Sequence, residues 1–437
     1  MVNNLKKIAL VLSPPFWPNL PPLSLVMLSG YLRNKHLDVS VFDLNNIFFN
    51  QADQELQTSW KMSCNKLLEN MMPVLLRGKF TKLFNQYIDK LAAFDYIGFS
   101  CYQSNIDTTL GIVELLKIKN KDLKIILGGP EISRVYFKTN GAFTPRLKEL
   151  ADCLVAGEGE IPFSQFVQGE TVEKIVLFRE QDDLSENEYV ILGYPDSYVD
   201  LYPRTRTVSL LFSRGCIRGC RFCSERLLTK RFKSRSVDNL IHEIEFHKDN
   251  RVKVFVFHDS MLNADLNKLE QLCDAVIEKF GSIPWEAQIG VRADMPENLM
   301  TKMKQSGCYN LFIGLESGSN RILQKMNKGF SPEEAAEFFR KLKSAGLFFG
   351  VSLMVGFPEE SEEESQESLD FLIKHKDIIP KIEQINPFVY YDGTDTQEKY
   401  DYRRNQDIVE RTNMVIDRLK KEGFKMTNAF LNNLVEK

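Results

Sequence analysis

The chain has 437 residues, of which 43% are hydrophobic and 26% charged, and its formal net charge at pH 7 is −3. This length exceeds one hydrophobic core and predicts two domains, while the near-neutral charge gives no electrostatic basis for binding nucleic acid or an anionic membrane. Eight cysteines without regular pairing indicate a reducing compartment. Since no apolar run is long enough to cross a membrane, we expect a cytoplasmic protein.

The first part of the chain alternates short apolar runs with segments of helical spacing, which predicts an α/β fold with a doubly wound parallel sheet. The predicted strands are 6–12, 39–44, 96–101, 123–127 and 152–156, with a helical insertion at about 46–94. Ligands on such sheets bind beyond the carboxyl ends of the strands. The candidate binding residues at those ends are Pro15, Ser100, Cys101, Gly128, Gly129, Gly157 and Glu158.

A second β/α alternation follows an irregular connection. We assign residues 1–165 to the first domain and 166–206 to the linker, with a small hairpin near 174–178. Six strands are predicted after it, at 208–212, 252–257, 285–291, 310–315, 349–355 and 382–390. This number suits a partial (β/α)6 barrel over 207–395, followed by a C-terminal helical segment over 396–437. Two of its helices begin with a capping pattern, Ser331 with Glu334 and Ser361 with Glu364.

Three cysteines stand close together in the loop after the first barrel strand. Cys216, Cys220 and Cys223 have the spacing C-x3-C-x2-C, and Phe222 directly precedes the last of them. Three soft sulfur ligands favour an iron–sulfur cluster or zinc. A closed zinc site needs a fourth ligand, usually from a second paired motif, and none follows nearby. Zinc and incidental core thiols remain the alternatives.

The cysteine loop resembles the cluster loop of the radical SAM superfamily, which has the same spacing and an aromatic residue before the final cysteine. The resemblance implies that the three cysteines ligate a [4Fe–4S] cluster. Its open iron would chelate the amino and carboxylate groups of S-adenosylmethionine (SAM), and an electron would split SAM to methionine and a 5′-deoxyadenosyl radical. A reductant such as flavodoxin or ferredoxin is then the expected partner.

The first domain resembles the cobalamin-binding domain that precedes many radical SAM domains. The matching segments are Pro21-Pro22-Leu23-Ser24, Gly128-Gly129-Pro130 and Gly157-Glu158-Gly159-Glu160. The D-x-H-x-x-G loop that supplies an axial histidine in classical cobalamin proteins is absent. The resemblance implies cobalamin bound without a histidine ligand, or a domain that kept the scaffold and lost the cofactor.

In barrel-type folds the chemistry sits at the carboxyl ends of the strands. There the radical SAM resemblance implies that Arg292 binds the SAM carboxylate, Asp259 the ammonium and Glu316 the ribose hydroxyls. Ser317, Gly356 and Phe222 complete the cofactor-binding residues, and Tyr390 and Tyr391 are candidates for donating a hydrogen atom to a product radical. The alternatives are an Arg292–Glu316 ion pair, Asp259 as a helix cap, and packing roles for Cys101 and the tyrosines.

Two positions depart from the family pattern: His258 stands where a glycine is usual, and so does Glu359. The two resemblances together imply a cobalamin-dependent radical SAM enzyme that C-methylates a peptide or natural-product intermediate. A radical epimerase, cyclase or rearrangement enzyme with a vestigial cobalamin domain is the first alternative. A zinc-containing binding module is the second.

Overall fold

The structure is a computed structural model that describes residues 6–61, 66–178, 187–194, 198, 202, 206–229, 231–391, 393–396 and 406–427. The chain divides into two compact units. The first comprises Met1–Arg206 with Glu243–Val252, and the second comprises Thr207–His242 with Lys253–Lys437. Within the described ranges, every helix is too short or too polar to span a bilayer.

The first unit is built on a six-stranded sheet of order β2-β1-β3-β4-β5-β6, in which all neighbours are parallel. The order reverses at β1, so the crevice at a topological switch point lies between β1 and β3. The predicted doubly wound sheet is confirmed. The strands are β1 (Ile8–Leu12), β2 (Val39–Asp43), β3 (Tyr96–Ser100), β4 (Lys124–Gly128), β5 (Cys153–Gly157) and β6 (Ile175–Phe178).

The predicted hairpin near 174–178 is wrong, because β6 adds to the sheet as a parallel strand. Its Ile175 pairs with Leu154 of β5, and Phe178 pairs with Gly157. The helix Glu160–Gln168 lies between the two strands. A crossover of this length returns the chain to the same end of the sheet, which gives parallel and not antiparallel pairing.

Helices cover both faces of this sheet. Alternate residues of β1 point to opposite faces: Ile8, Leu10 and Leu12 belong to one buried core, and Ala9 and Val11 to the other. The second core also contains buried apolar residues of the four helices α2–α5, which occupy the predicted insertion. The helices are α1 (Leu23–Asn34), α2 (Leu44–Gln51), α3 (Gln54–Trp60), α4 (Lys66–Arg77), α5 (Thr81–Leu91), α6 (Ile106–Lys119), α7 (Pro130–Thr139), α8 (Pro145–Leu150) and α9 (Glu160–Gln168).

The predicted connection after β6 lies largely outside the described residues. Its described part includes a 3-10 helix, Asn187–Gly193, that packs against α1. Ser29 Oγ donates a hydrogen bond to Gly193 O at 3.2 Å, and a side chain at position 193 would meet Val26 O. The close backbone approach explains the glycine.

The second unit contains a parallel sheet of order β14-β13-β12-β11-β10-β7. Each of its strands pairs with the next in sequence, as in an open barrel whose edges are β7 and β14. The predicted α/β fold is confirmed here too. The strands are β7 (Thr207–Leu210), β10 (Val254–Phe257), β11 (Trp285–Ile289), β12 (Cys308–Glu316), β13 (Phe349–Val355) and β14 (Lys381–Pro387). A separate antiparallel pair, β8 (Ser213–Arg214) and β9 (Lys233–Ser234), flanks the cysteine loop.

The last strand ends three residues earlier than predicted. It stops at Pro387, which pairs with Val355, and the Phe388 amide then donates to Val355 O at 2.8 Å. Tyr390 and Tyr391 consequently lie in the loop after β14 and not within the strand.

Eight α-helices are described after β7, and one of them, Val237–Asp249, is divided between the two units, since its residues from Glu243 onward belong to the first. Both predicted capping boxes are present, Ser331 with Glu334 and Ser361 with Glu364. The helices are α10 (Glu225–Leu228), α11 (Val237–Asp249), α12 (Leu266–Phe280), α13 (Glu297–Gln305), α14 (Asn320–Met326), α15 (Pro332–Ser344), α16 (Glu362–Lys374) and α17 (Gln406–Lys421). Helix α17 belongs to the predicted helical tail, of which 397–405 and 428–437 lie outside the described residues.

Candidate active site

Two hydrogen bonds tie the cysteine loop to the residues at the C-terminal end of α14. Asn327 donates from Nδ2 to Gly219 O at 2.7 Å, and the Arg221 amide donates to Met326 O at 3.0 Å. At the start of the loop, Gly215 has φ +84°, and a Cβ there would lie 2.9 Å from Arg231 O. Only glycine fits that turn, so the position of the first cysteine is fixed by backbone sterics.

The three thiols fit a [4Fe–4S] cluster better than a single metal ion. Each is half-buried and free of a disulfide, and Cys216 and Cys220 lie near enough to Cys223 to act on its charge. In the described part of the chain, no three His, Cys, Asp or Glu side chains converge closely enough to hold one ion. Zinc needs such convergence, with sulfur at about 2.3 Å from the metal. The irons of a cluster instead take one thiolate each.

Burial raises the pKa of Cys220 and raises the pKa of Cys223 to about 11. At Cys220 the positive charge of Lys328 opposes this effect, and that of Arg218 does so more weakly. The loop therefore has cations in place to stabilise thiolates.

Asp259 holds the cysteine loop. It is 1% exposed, and its carboxylate accepts hydrogen bonds from Phe212 N at 3.0 Å, Ser213 N at 2.5 Å and the Ser213 hydroxyl. Burial raises its pKa to about 6. Helix α12 is capped by Asp265, so the alternative role of Asp259 as its cap is wrong. These three hydrogen bonds occupy a carboxylate that the family pattern would direct to the SAM ammonium.

Arg292 is likewise engaged within the protein. Its fork meets Asp294, with Nε 2.9 Å from Oδ1, and its Nη1 donates to Ala264 O at 2.6 Å and Asn263 O at 3.1 Å. The nearby guanidinium lowers the pKa of Asp294. The carboxylate partner of Arg292 is thus Asp294. It differs from the Arg292–Glu316 ion pair that the sequence left as an alternative.

Glu316 and Lys328 face each other beside the cysteines. Glu316 has φ +70°, its Oε1 lies 3.5 Å from Lys328 Nζ, and Ser352 Oγ approaches Oε2 at 3.4 Å. A Cβ on Gly314 would lie 2.4 Å from that carboxylate, so the glycine makes room for it. Lys328 is 12% exposed in its side chain, and its ammonium lies 5.8 Å from the Phe222 ring centroid.

Lys328 is a residue of the site that no sequence motif indicates. It follows Asn327, which takes a left-handed conformation with φ +57° at the end of α14. The available signal was the sequence Asn-Lys-Gly after a helical pattern, since asparagine commonly ends helices in this conformation.

The remaining residues singled out in the second unit have mainly structural contacts. Ser317 is fully buried, with its Oγ 3.1 Å from Ser368 Oγ. Gly356 has φ +78°, and its amide donates to Glu360 at 2.5 Å. Phe222 and Tyr390 pack against a small apolar cluster that includes Phe357 and Phe388, whereas Tyr391 is 45% exposed.

A polar cavity of about 340 Å³ opens inside the curved sheet. The interior of a barrel is normally filled with branched apolar side chains. Here Asn310 donates from Nδ2 to Glu286 at 3.2 Å, and desolvation lowers the pKa of His258. Among described atoms, Asn310 Oδ1 is buried without a hydrogen-bond partner. The lining includes Val256, His258, Glu286, Gln288, Asn310, Phe312 and Glu383.

In the first unit, the proline-rich loop is tied to the end of β3. Ser104 Oγ donates to Pro15 O at 2.9 Å. Asn105 Nδ2 bridges Ser13 O at 3.1 Å and Ser100 O at 3.3 Å. These bonds bring Pro15 and Ser100 to the same edge, on either side of the switch point.

The glycine turns lie along the same edge. Gly129 has φ +98°, and a Cβ there would lie 2.9 Å from the backbone of Cys101, while Gly157, with φ +94°, donates from its amide to Ser133 Oγ at 2.9 Å. Gly128 ends β4, and Glu158 is half-buried after β5. The Cys101 thiol is fully buried, which raises its pKa far above the usual value. It packs as an inert thiol.

The comparisons with known proteins agree with this arrangement. Residues 210–372 match the radical SAM superfamily. A Pyrococcus horikoshii protein described as an uncharacterized methyltransferase is 26% identical over 304 residues, which cover 64% of this chain and 64% of that protein.

Two solved structures share the fold. TsrM from Kitasatospora setae, a radical SAM methyltransferase solved with cobalamin and a [4Fe-4S] cluster, has a TM-score of 0.69 at 14% identity, covering 90% of this chain and 77% of that one. The cobalamin-dependent radical SAM enzyme OxsB, solved with aqua-cobalamin, has a TM-score of 0.65 at 17% identity, covering 98% of this chain and 56% of that one.

This chain thus spans 64% of the Pyrococcus relative and 56% of OxsB. Residues 210–372 form a radical SAM domain, and a doubly wound unit precedes it in the chain, as in the fold of TsrM and OxsB.

Proposed function

We propose that this radical SAM enzyme uses cobalamin to methylate an unreactive carbon of a peptide or natural-product intermediate. The observation that carries the radical chemistry is the loop of three half-buried thiols beside Lys328 and Glu316. The doubly wound first unit, the fold shared with TsrM and the relative described as a methyltransferase support the methyl transfer.

The cluster would be held by Cys216, Cys220 and Cys223, with one iron left for the amino-acid end of SAM. The cluster and SAM together would supply a 5′-deoxyadenosyl radical. Lys328 is the cation best placed for the SAM carboxylate, because four of the five N–H groups of Arg292 already bond to Asp294 and backbone carbonyls. An ammonium against a carboxylate in a half-buried site makes a strong charge-assisted bond.

The polar cavity inside the sheet would receive the substrate. Its acceptors include the Glu286 carboxylate and Asn310 Oδ1, so we expect the bound group to present N–H or O–H donors. Tyr390, packed near Phe222, remains our candidate for donating a hydrogen atom, and the exposed Tyr391 is the weaker one.

Cobalamin, which would supply the methyl group, is assigned to the carboxyl edge of the first unit. In the absence of a D-x-H-x-x-G loop, it would bind there without a histidine ligand. Gly159 begins α9 at that edge, and no described atom lies within 4 Å of where its Cβ would be. A large side chain at this position would fill space over the edge without disturbing the fold.

The test is anaerobic reconstitution of the full chain with iron, sulfide and hydroxocobalamin, followed by gel filtration. We expect corrin absorbance to co-elute with wild type, and Gly159→Phe to lose the corrin while still releasing 5′-deoxyadenosine from SAM under dithionite. The matched control is Gly111→Phe on α6, where a Cβ also has no described neighbour within 4 Å.

A wild-type protein that cleaves SAM but retains no corrin would contradict cobalamin-dependent methylation and favour the epimerase, cyclase or rearrangement alternative. A protein that takes up zinc and no iron would contradict radical chemistry altogether. The anaerobic conditions follow from our assignment to a reducing cytoplasm, because thiolates at an exposed cluster are sensitive to oxidation.

A further inference from the structure

The polar cavity inside the curved sheet is lined at one level by side chains from three adjacent strands. Val256 of β10 pairs with Glu286 of β11, and Glu286 pairs with Asn310 of β12. Since side chains alternate between the two faces of a sheet, residues paired across parallel strands share a face, and these three line the cavity together. On the opposite wall, a Cβ at Gly350 would lie 2.5 Å from the Glu383 carboxylate. The glycine leaves room for that acid to reach the cavity.

Asn310 presents a hydrogen-bond acceptor to this cavity. Its Nδ2 donates to Glu286 at 3.2 Å, and because a carboxylate only accepts, this bond fixes the orientation of the amide. The other end of the amide, Oδ1, is buried and has no hydrogen-bond partner among the described atoms. A buried acceptor without a donor is unfavourable, so a bound group that donates to Oδ1 would be stabilised there.

Glu286 supplies a negative charge that no cation of the cavity balances. The second acid, Glu383, has Lys381 Nζ 2.6 Å from its Oε2. Desolvation lowers the pKa of His258 against the opposing charge of Glu286, which disfavours the cationic imidazole. Tyr309 donates a hydrogen bond to Glu286 but brings no charge. In the ranges that the structure describes, no lysine, arginine or histidine forms an ion pair with Glu286.

We propose that this cavity binds a cationic nitrogen group of the substrate, an ammonium or a guanidinium on an apolar stem. The inference rests on the proposed function and names its substrate class. Glu286 would supply the countercharge, and Asn310 Oδ1 would accept one N–H of the bound group. The apolar stem would pack on Val256 and Phe312, which are half-buried in the lining.

The position of the cavity suits a group that anchors the substrate away from the reacting carbon. Phe312 lies two residues beyond Asn310 along β12, and Gly314, beside which the Glu316 carboxylate lies, is two residues further. At 3.3 Å per residue, the cation would therefore bind about 13 Å from the level of that carboxylate. A long basic side chain reaches from the cavity past Phe312 towards the cysteine loop.

Water and a metal ion are the competing occupants of a polar cavity. Water could donate to Asn310 Oδ1, but it would not balance the charge of Glu286. A divalent ion needs several oxygen ligands, and among the described residues no three His, Cys, Asp or Glu side chains converge to hold one. An organic cation satisfies both the acceptor and the charge.

The experiment compares two probes of equal shape and different charge on the full-length protein after reconstitution. N-Acetyl-arginine amide carries a guanidinium, and N-acetyl-citrulline amide carries a neutral urea in its place. The Kd of each is measured by titration with ligand-observed NMR. We expect wild type to bind the arginine probe about 10-fold or more tightly than the citrulline probe.

Glu286→Gln should reduce this preference to less than about twofold, because glutamine still accepts from Asn310 but carries no charge. Glu333→Gln is the matched control, an exposed glutamate on α15 that undergoes the same change of charge. It should retain the wild-type preference. The comparison of the two probes on wild type needs no substitution, so it decides the proposal even where Glu286→Gln fails to fold.

Equal affinities of the two probes for wild type would overturn the proposal, as would an absence of binding by either, which would leave a water-filled cavity. A preference for the arginine probe that persists in Glu286→Gln would overturn it too, since the cation would then bind elsewhere. Release of 5′-deoxyadenosine from SAM under dithionite is measured separately on wild type. A protein that binds the arginine probe and releases none contradicts the radical function and not the cation site.

Discussion

The turn after β13 contains a buried acid whose titration should govern the stability of the second unit. The Glu360 side chain is 2% exposed, accepts a hydrogen bond from Gly356 N at 2.5 Å, and has Arg411 Nη1 3.8 Å from its Oε2. Burial raises the pKa of Glu360 from 4.5 to about 7, even though the Gly356 hydrogen bond and the Arg411 charge oppose it.

The sign of the effect follows from proton binding. Between about pH 4.5 and 7 the folded protein keeps this proton while the unfolded chain has lost it. Stability from this group is therefore fully present below pH 4.5 and is lost as pH rises through 7. The difference between the two pKa values corresponds to a loss of at most about 3 kcal/mol.

Glu360→Gln tests this reasoning, because glutamine can still accept from Gly356 but does not titrate. We expect nearly equal unfolding free energies for variant and wild type at pH 4, below the unfolded pKa of 4.5, and a more stable variant at pH 8 by up to about 3 kcal/mol. Both apoproteins would be unfolded in urea in a background where Trp17 and Trp60 are replaced by phenylalanine. Trp285, 3% exposed in β11, then reports on the second unit alone.

The difference between the two proteins isolates Glu360, because every other titrating group is common to both. Asp259, with its pKa also raised to about 6, contributes the same slope to each. Parallel stability curves from pH 5 to pH 8 would refute the assignment. In that case the variant and wild type would lose the same amount of stability between pH 5 and pH 8.

Three further predictions concern the site. Asp259→Asn should lower iron per chain after reconstitution by about half or more, since an amide cannot accept all three hydrogen bonds that hold the loop; iron and sulfide analysis measures this. Lys328→Met should raise the Kd for SAM, measured by equilibrium dialysis, about 10-fold or more. Lys325→Met is the control, and its Kd for SAM should differ from that of wild type by less than about twofold. Gly314→Ala should also weaken SAM binding, because its Cβ would displace the Glu316 carboxylate; unchanged affinity would contradict that role for Glu316.

The sheets were predictable from sequence because buried parallel strands are short continuous apolar runs. β1 and β13, for example, are buried along nearly their whole length. The incorrect predictions concern strands whose pairing depends on residues far away in the sequence. Residues 175–178 are apolar in either a hairpin or a parallel edge strand, and only the packing of α9 decides between them. The predicted end of β14 is three residues too late because Phe388, Val389 and Tyr390 continue the apolar run after the pairing has stopped at Pro387.

The part of the site that the spacing of residues in the sequence defines was predictable. The part that depends on hydrogen-bond and ion-pair partners was not. The three cysteines lie within one loop, so their proximity follows from sequence. Arg292 and Asp259 were placed correctly at strand ends, yet a sequence does not show that Asp294 and the amides of 212 and 213 already engage them.

The cation that the site presents comes instead from the end of α14, twelve residues after the end of β12 in sequence. Asn327 turns the chain with a positive φ and donates to the cysteine loop, so the residue after it, Lys328, is carried to Glu316 and Phe222. One short segment thus fixes both the loop of sulfur ligands and the charge beside it. Because that coupling is mechanical, replacing Asn327 with alanine should lower iron retention and SAM affinity together, whereas Lys328→Met should lower SAM affinity alone. Iron loss in Lys328→Met without a change in SAM binding would show that the lysine serves the loop and not the substrate.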